Sequence, residues 1–263
     1  MNEMIKQVQK REYAILKELD RICKKHHISY YLGQGTLLGA AKYRGFIPWD
    51  DDIDVLIPYD QLQKLIPIFQ REAAEQYLIT NVAIEPHFPL PWTKIRDTGT
   101  LSRPKRYQDI PINWGICIDL FPIYPISDCC LLRKFACFNY KIASRLIMAE
   151  MTQYEESHIF LARMLEKIPL RVRHIYLHMA IRLLTLRKKP GRYVLLPCKG
   201  GKVIKRDLIF GKACYLPFED GRYPVPADYH RYLTLQYGDY KAPLPEEEQK
   251  GHEQAMGDIE WRL

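Results

Sequence analysis

The pattern of apolar and polar positions divides the chain into a helix, a series of strands and a second helical region. Apolar residues recur at helical spacing through residues 3–26, with lysines and arginines between them, which predicts an amphipathic helix. Helical periodicity returns over residues 127–188, where Pro169 interrupts it. Short apolar runs bounded by turn residues predict buried strands at 29–32, 55–57, 77–82, 92–97 and 116–121.

The last quarter of the chain shows shorter elements. Residues 190–206 carry two Gly-containing dipeptides among basic side chains, which predicts a loop-rich connector. Residues 207–226 predict a β-hairpin whose turn contains Asp220 and Gly221. A short helix is predicted to follow at residues 227–237.

An acidic segment lies directly before the predicted strand 55–57. Asp50, Asp51, Asp52 and Asp54 fall within five residues. Because alternate side chains of a strand share a face, we expect Asp52 and Asp54 to point the same way. Two neighbouring carboxylates repel, and a hard divalent cation such as Mg²⁺ relieves that repulsion. The alternative is a solvated acidic turn that only caps the strand.

A Gly-rich turn precedes the acidic segment. The predicted strand 29–32 leads into Gly33, Gly35 and Thr36, which open a predicted helix. Glycines let a backbone approach a ligand closely, and a helix N-terminus offers N–H groups to phosphate. The turn lacks the Gly-Lys-Ser/Thr of a P-loop. Gly35 and Thr36 are therefore candidates for phosphate binding, and a tight turn that serves helix packing is the alternative.

Two later strands each carry a polar residue with candidate chemistry. Lys94 shares a face of strand 92–97 with Arg96, and a lysine beside a metal–phosphate site neutralises phosphoryl oxygens. Asp119 is a lone acid in the apolar run 116–121, where burial is costly unless the carboxylate is paired or ligated. The alternatives are an exposed strand lysine and an aspartate at a strand end that caps a turn.

Composition narrows the class of protein. The 263 residues are 47% hydrophobic, enough for one large domain or two small ones. The seven cysteines include no Cys-x-x-Cys pair that would suggest a zinc site. The N-terminus lacks the apolar core of a signal peptide, and no apolar run reaches transmembrane length. We therefore expect a cytoplasmic protein with reduced thiols.

Positive charge is concentrated in one region. The net charge of the chain is +8, but residues 163–206 hold thirteen Lys and Arg and one acid, Glu166. This excess implies an anionic partner. Within it, residues 170–189 are both apolar and basic, which suits a helix lying in an anionic membrane interface. The alternative is a core helix with a solvated basic edge. Nucleic acid is disfavoured because no recognition motif is present.

The order of strand, Gly-Thr turn, helix and Asp-x-Asp strand resembles the nucleotidyltransferase superfamily, in which Ser is usual at the position of Thr36. The longer stretch Gly35-Thr-Leu-Leu-Gly-Ala-Ala-Lys-Tyr-Arg-Gly-Phe-Ile-Pro-Trp-Asp-Asp-Asp-Ile-Asp54 is similar to the signature of the LicD family. This family is phosphorylcholine-transferase-like and related to fukutin. Further segments agree with it, at residues 91–97, 115–122, 218–226 and 237–240.

The resemblance implies an α+β fold: a nucleotidyltransferase-like mixed β-sheet core flanked by helices, with a largely helical basic insertion. The corresponding division of the chain is a catalytic core at residues 1–125, a basic helical region at 126–206 and a C-terminal part at 207–263 that packs back on the core.

The resemblance also implies an enzyme with a metal site. The residues implied to be catalytic and to bind Mg²⁺, with Mn²⁺ as an alternative, are Asp52, Asp54 and Asp119. The residues implied to contact substrate are Gly35, Thr36, Asp51 and Lys94. The base that accepts the proton of the acceptor hydroxyl stays open among Asp50, Asp51, Asp119 and Asp239.

The implied reaction transfers a phospho-alcohol from a CDP-activated donor to a cell-envelope glycan, with CMP as the leaving group. Phosphorylcholine is the leading group, and ribitol phosphate or another polyol phosphate stays open. The acceptor would be a glycan such as lipopolysaccharide or teichoic acid, lipid-linked at the inner face of the cell membrane. Two alternatives are transfer of NMP from an NTP to a small alcohol, and a non-catalytic membrane-binding module.

Overall fold

A mixed β-sheet forms the centre of the computed structural model, which describes residues 3–102, 110–149, 164–165, 167–186, 191–197, 201–243 and 259–261. The described helices are α1 (Glu3–Lys25), α2 (Gln34–Lys42), α3 (Tyr59–Glu72), α4 (Cys130–Ile147), α5 (Leu170–Thr185) and α6 (Tyr229–Tyr237). The described strands are β1 (Tyr31–Leu32), β2 (Asp54–Pro58), β3 (Tyr77–Thr80), β4 (Thr93–Asp97), β5 (Thr100–Ser102), β6 (Cys117–Ile126), β7 (Tyr193–Leu196), β8 (Lys202–Lys205), β9 (Cys214–Phe218), β10 (Gly221–Val225) and β11 (Ile259–Trp261). The predicted α+β class is confirmed.

The sheet has the strand order β1-β2-β6-β4-β3, and the second half of β6 also pairs with β7, which pairs with β8. Among the described strands of this sheet, β2 and β6 run parallel, and the other pairs are antiparallel. Parallel pairing requires a crossover between the two strands. Helix α3 lies in that crossover and packs on β2, β3 and β6.

Helix α1 forms as its apolar spacing predicted. Its buried positions include Ile5, Val8, Ile15 and Leu19, which recur every three or four residues and so line one face. That face packs against α3, β4 and β6, while the lysines and arginines stay in solvent. The N-terminal helix therefore covers the strands that carry the acidic residues.

The structure excludes two of the sequence-based interpretations of the sheet. The alternative in which Asp119 lies at a strand end and caps a turn does not hold, because β6 continues through Pro122 to Ile126. Residues 190–206 are not a loop-rich connector, because they contain β7 and β8, which extend the sheet. The two Gly-containing dipeptides had suggested a loop. They lie before and after β7, and the apolar residues of that strand are buried against β6.

The predicted helical region is confirmed where the structure describes it, in α4 and α5. Pro169 is the N-cap of α5, consistent with its role as the interruption in the pattern. The rest of the predicted stretch, at residues 150–163, 166 and 187–188, lies outside the described residues. In the part of the chain that the structure describes, no helix combines the length and apolar character needed to cross a membrane.

The C-terminal hairpin is confirmed as β9 and β10, with Glu219 and Asp220 between the strands, whereas Gly221, predicted for the turn, is the first residue of β10. It fixes the segment that leads into the acidic residues: the Phe46 amide donates to Glu219 Oε1 over 3.1 Å, and the Phe46 and Phe218 rings lie 5.0 Å apart. Helix α6 contributes Tyr232, whose hydroxyl accepts a hydrogen bond from Gln34 over 2.8 Å.

Candidate active site

Two carboxylates and a lysine form a row across three neighbouring strands. Asp54, the first residue of β2, pairs in register with Asp119 of β6. Asp119 pairs in turn with Lys94 of β4. Side chains of residues directly opposite each other project from the same face of a sheet. Residues separated by 40 and 25 positions in the sequence are therefore brought together by strand register.

Lys94 and Asp119 form an ion pair within this row. Lys94 Nζ lies 2.6 Å from Asp119 Oδ1, and both side chains are 16% exposed. Trp92 Nε1 donates to the same oxygen over 3.1 Å, and Lys94 Nζ also lies 3.5 Å from Cys117 Sγ. Burial acts to lower the pKa of Lys94, but the interactions with Asp119 and Cys117 together outweigh it and raise that pKa. Lys94 therefore carries its positive charge at neutral pH.

The Gly-rich turn joins the acidic segment to helix α2. Thr36 Oγ1 accepts a hydrogen bond from the Asp54 amide over 2.8 Å, so the first turn of the helix fixes the start of β2. A Cβ atom added at Gly35 would lie 2.9 Å from Asp50 Oδ2 and 3.9 Å from Asp52 Oδ1. A side chain at residue 35 would therefore have to displace the carboxylate of Asp50. The predicted phosphate contacts of Gly35 and Thr36 stay predictions.

Strand alternation, which the sequence predicted, does not explain the position of Asp52. Strand β2 begins at Asp54, so Asp52 lies before the strand and the two residues do not share its face by alternation. Their charges nevertheless interact: burial raises the pKa of Asp54 well above its usual range, and the charge of Asp52 raises it further. Asp119 and Asp50 act in the same direction, and Lys94 opposes them.

The segment before Asp50 is held on two sides. Gln9 on α1 donates to the Asp50 carbonyl over 2.7 Å, and Glu219 accepts from the segment on the other side. On α2, a Cβ atom added at Gly39 would lie 2.4 Å from the Gly45 carbonyl oxygen, so the backbones of α2 and of the segment are in close contact. The backbone that leads into the acidic residues is therefore held in place by contacts with α1, α2 and Glu219.

Comparison with known proteins identifies the family of the chain. Residues 27–149 match a family described as the LicD/FKTN/FKRP nucleotidyltransferase domain. Over 257 residues the chain is 30% identical to the lipopolysaccharide cholinephosphotransferase LicD of Haemophilus influenzae, with 90% of this chain and 91% of that protein covered. The chain belongs to the LicD family. The matched region contains the residues predicted to bind metal or substrate, whereas Asp239, one of the candidate bases, lies outside it.

Shorter matches add little about activity. An uncharacterized protein of Rickettsia prowazekii is 37% identical over 62 residues, which cover 22% of this LicD-family chain and 23% of that protein. An uncharacterized protein of Rickettsia typhi is 36% identical over 62 residues, with 22% of this chain and 20% of that protein covered.

Glu12 is the residue near this LicD-family site that the sequence reasoning missed. Its side chain is 3% exposed, and its Oε2 atom has no hydrogen-bond partner among the described residues. Burial raises the pKa of Glu12 well above its usual range, and the negative charge of Asp52 raises it further. A signal was present: Glu12 stands between Val8 and Ile15 on the apolar stripe of α1, where an acid is out of place.

Asp51 lies on the buried side of the segment. Its side chain is 5% exposed, and its charge is among those that raise the pKa of Glu12. Asp51 is therefore close enough to Glu12 for the two charges to interact. The predicted contact of Asp51 with substrate stays a prediction.

The donor chemistry of the site fits Mg²⁺. Burial first, and then the charges of the neighbouring aspartates, raise the pKa of the Asp54 carboxyl; Lys94 opposes this only in part, and a hard cation would compensate the remaining negative charge. Within the described residues, no group of three or more His, Cys, Asp or Glu is arranged to hold a metal ion by itself. Mg²⁺ commonly binds through one or two carboxylates and takes its other ligands from phosphate and water. Asp54 and Asp119, with Asp52 beside them, fit that mode.

Glu12→Gln is expected to stabilise the protein at neutral pH. The pKa of Glu12 is raised on folding, so its contribution to stability is present below the unfolded pKa and is lost as pH rises. The amide keeps the shape, removes the charge and offers an N–H to neighbouring carboxylates. We expect a gain on the order of 1–3 kcal/mol at pH 8 and little change at pH 4, measured by urea unfolding.

The matched control is Glu3→Gln, at an exposed position in the first turn of the same helix. It should leave stability within about 0.5 kcal/mol at both pH values. A Glu12→Gln variant that is less stable than the parent at pH 8 would show that the charged carboxylate makes a favourable contact, and would contradict this account.

Proposed function

We propose that this protein transfers phosphorylcholine from CDP-choline to a cell-envelope glycan, with lipopolysaccharide as the acceptor and CMP as the leaving group. The observation that carries the proposal is the register that places Asp54, Asp119 and Lys94 side by side. It provides oxygen ligands for a cation next to a positive charge, which a diphosphate donor requires. The similarity to a lipopolysaccharide cholinephosphotransferase over most of both chains supports the choice of headgroup and acceptor.

Asp52, Asp54 and Asp119 would hold Mg²⁺ against the donor diphosphate. The ion, when bound, supplies charge stabilisation on the transferred group and on the departing phosphate. Lys94 is paired with Asp119, which also accepts a hydrogen bond from Trp92, and would donate to a phosphoryl oxygen of the donor.

The first turn of α2 would complete the donor site. Its backbone N–H groups at Gly35 and Thr36 begin a helix, and helix N-termini favour phosphate. One carboxylate would accept the proton of the acceptor hydroxyl. Of the candidates, Asp239 is exposed just after α6, Asp51 is buried and Asp119 is already paired with Lys94, so Asp50 is the better placed for this role.

The test is the identity of the released nucleotide. Purified protein, Mg²⁺, CDP-choline and lipopolysaccharide are incubated, and products are separated by anion-exchange chromatography. We expect CMP release that depends on the acceptor, together with phosphorylcholine attached to the glycan. Pyrophosphate release from an NTP and choline, with no CMP from CDP-choline, would replace the proposal with nucleotidyl transfer.

A thermal-shift screen distinguishes the headgroup. A ligand that binds the native state raises the unfolding temperature, and at equal concentration the tighter ligand gives the larger rise. CDP-choline with Mg²⁺ is expected to give a larger shift than CDP-ribitol or other CDP-polyols. A larger shift with CDP-ribitol would keep the transfer chemistry and change the transferred group. We also propose that the reaction takes place at the inner face of the cell membrane, where lipid-linked glycans meet a cytoplasmic nucleotide donor.

A further inference from the structure

Helices α4 and α5 together expose a row of large apolar side chains. On α4, Leu131, Phe135 and Phe138 follow one another at spacings of four and three, which places them on one face. On α5, Val172, Ile175 and Met179 repeat the arrangement at spacings of three and four. All six side chains are at least half exposed. We call these six residues the α4–α5 apolar face.

This face is not used to pack the two helices. Their contact is made by the opposite sides, where Tyr140 and Ala143 of α4 share a core with Leu177 and Ala180 of α5. A hydrogen bond of 2.8 Å from the Tyr176 hydroxyl to Asn139 Oδ1 joins the pair further. A group of large apolar side chains that are each at least half exposed indicates an interaction surface.

The charge of the two helices indicates the kind of partner. Neither α4 nor α5 contains an Asp or Glu, and together they carry seven Lys and Arg. Lys134, Lys141 and Arg145 are exposed and form a row beside the apolar stripe of α4. Arg171 and Arg182 hold the same position beside the stripe of α5. An apolar centre bordered by cations suits the interface of an anionic bilayer, where the cations reach the headgroups.

We propose that the α4–α5 apolar face inserts into the headgroup region of an anionic membrane, with the flanking lysines and arginines on lipid phosphates. The sequence pointed to the basic part of this region, residues 163–206, but not to α4. The structure adds Leu131, Phe135 and Phe138, which lie outside the concentration of positive charge. The attachment is peripheral and reversible, since it combines shallow burial with screened charge.

The face is joined to the candidate active site by a short chain of contacts. Tyr140, on the buried side of α4, donates to the Pro91 carbonyl over 3.4 Å. The next residue, Trp92, donates to Asp119. A membrane-bound helix pair would thus support the strand that carries the carboxylate. That this serves access to a lipid-linked acceptor rests on the proposed function, whereas binding to lipid does not.

The test is co-sedimentation of the full chain with vesicles that contain neither donor nor glycan. Vesicles of phosphatidylcholine with one quarter phosphatidylglycerol are compared with pure phosphatidylcholine, at low and high salt. We expect binding to the anionic vesicles at low salt that falls at least about 10-fold at high salt or without anionic lipid. Phe135→Ser with Phe138→Ser, and separately Lys134→Gln with Lys141→Gln, are each expected to reduce partitioning roughly 10-fold or more.

Matched controls separate this surface from general stickiness. Leu235→Ser removes a half-exposed leucine from α6, and Lys10→Gln with Lys64→Gln removes two exposed charges from α1 and α3. Both controls should bind as the parent does. Absence of binding to anionic vesicles at low salt, or unchanged binding by both face variants, overturns the proposal. So does a stable dimer that these variants dissociate and that does not bind vesicles. Transferase activity is measured separately, so either proposal can fail alone.

Discussion

Asp54→Asn is expected to lower the rate of CMP release from CDP-choline by roughly 10²- to 10³-fold or more. The reason is the position of Asp54, paired with Asp119 across two parallel strands and interacting with the charge of Asp52. The amide keeps the shape of the side chain but removes the charge that a cation requires. The apo protein should be at least as stable as the parent, because the variant removes a buried charge from a repelling group. Rates at several Mg²⁺ concentrations and urea unfolding measure the two effects.

Two further variants sharpen this test. Asp52→Asn is expected to lose activity to a similar extent, since its carboxylate lies beside the same site. Asp60→Asn is the matched control: Asp60 is exposed in the first turn of α3, beyond the other end of β2, and its amide should leave turnover unchanged. Near-normal CMP release by Asp54→Asn, or an equal loss in Asp60→Asn, would remove Asp54 from the metal site.

The sequence located the site because each of its strands carries a chemical anomaly. Asp54 begins a wholly buried strand, and Asp119 interrupts another apolar run. Charged residues in such positions are costly unless they are paired, so they stand out without any structure. The LicD signature around Asp54 supplied the order of the surrounding elements. Periodicity predicted the helices and strands, and turn residues predicted the hairpin of residues 207–226.

The pairing register of the strands could not be predicted from the sequence. Nothing in residues 92–97 or 116–121 states that Lys94 stands opposite Asp119 rather than one residue away. A shift of one residue would turn Lys94 to the other face of the sheet. Register is set by the burial of the apolar residues on both sides of these strands, which is a property of the whole sheet. The pair of strands β7 and β8 was missed for a different reason: glycine-containing dipeptides outweighed the four apolar residues of β7 and the two of β8.

Glu12 was missed in the sequence for a different reason. A single acid in the apolar stripe of a helix is easily overlooked when the stripe is otherwise regular. Its meaning appears only when α1 is seen to pack over β4 and β6, which brings the side chain toward Asp51 and Asp52. The rule that a buried charge needs a partner, which identified Asp119, applies equally to helices.

Lys94→Met is expected to lower kcat/KM for CDP-choline by roughly 10- to 100-fold, because it removes the positive charge next to the two carboxylates. Stability should also fall, by about 3 kcal/mol, since Asp119 would remain mostly buried without the ammonium group 2.6 Å away. A loss of activity alone would therefore be ambiguous. Lys94→Met combined with Asp119→Asn removes both charges and should recover most of the stability. The double variant should not recover activity, because the lysine and a carboxylate ligand are both absent.

The comparison of these two variants separates binding from folding. Urea unfolding gives the stability, and titration of CDP-choline in the presence of Mg²⁺ gives the affinity for the donor. Lys64→Met, at an exposed position on α3, is the matched control and should change neither quantity. If Lys94→Met binds the donor and turns over as the parent does, Lys94 serves only to neutralise Asp119, and the phosphate contact must be sought at the first turn of α2.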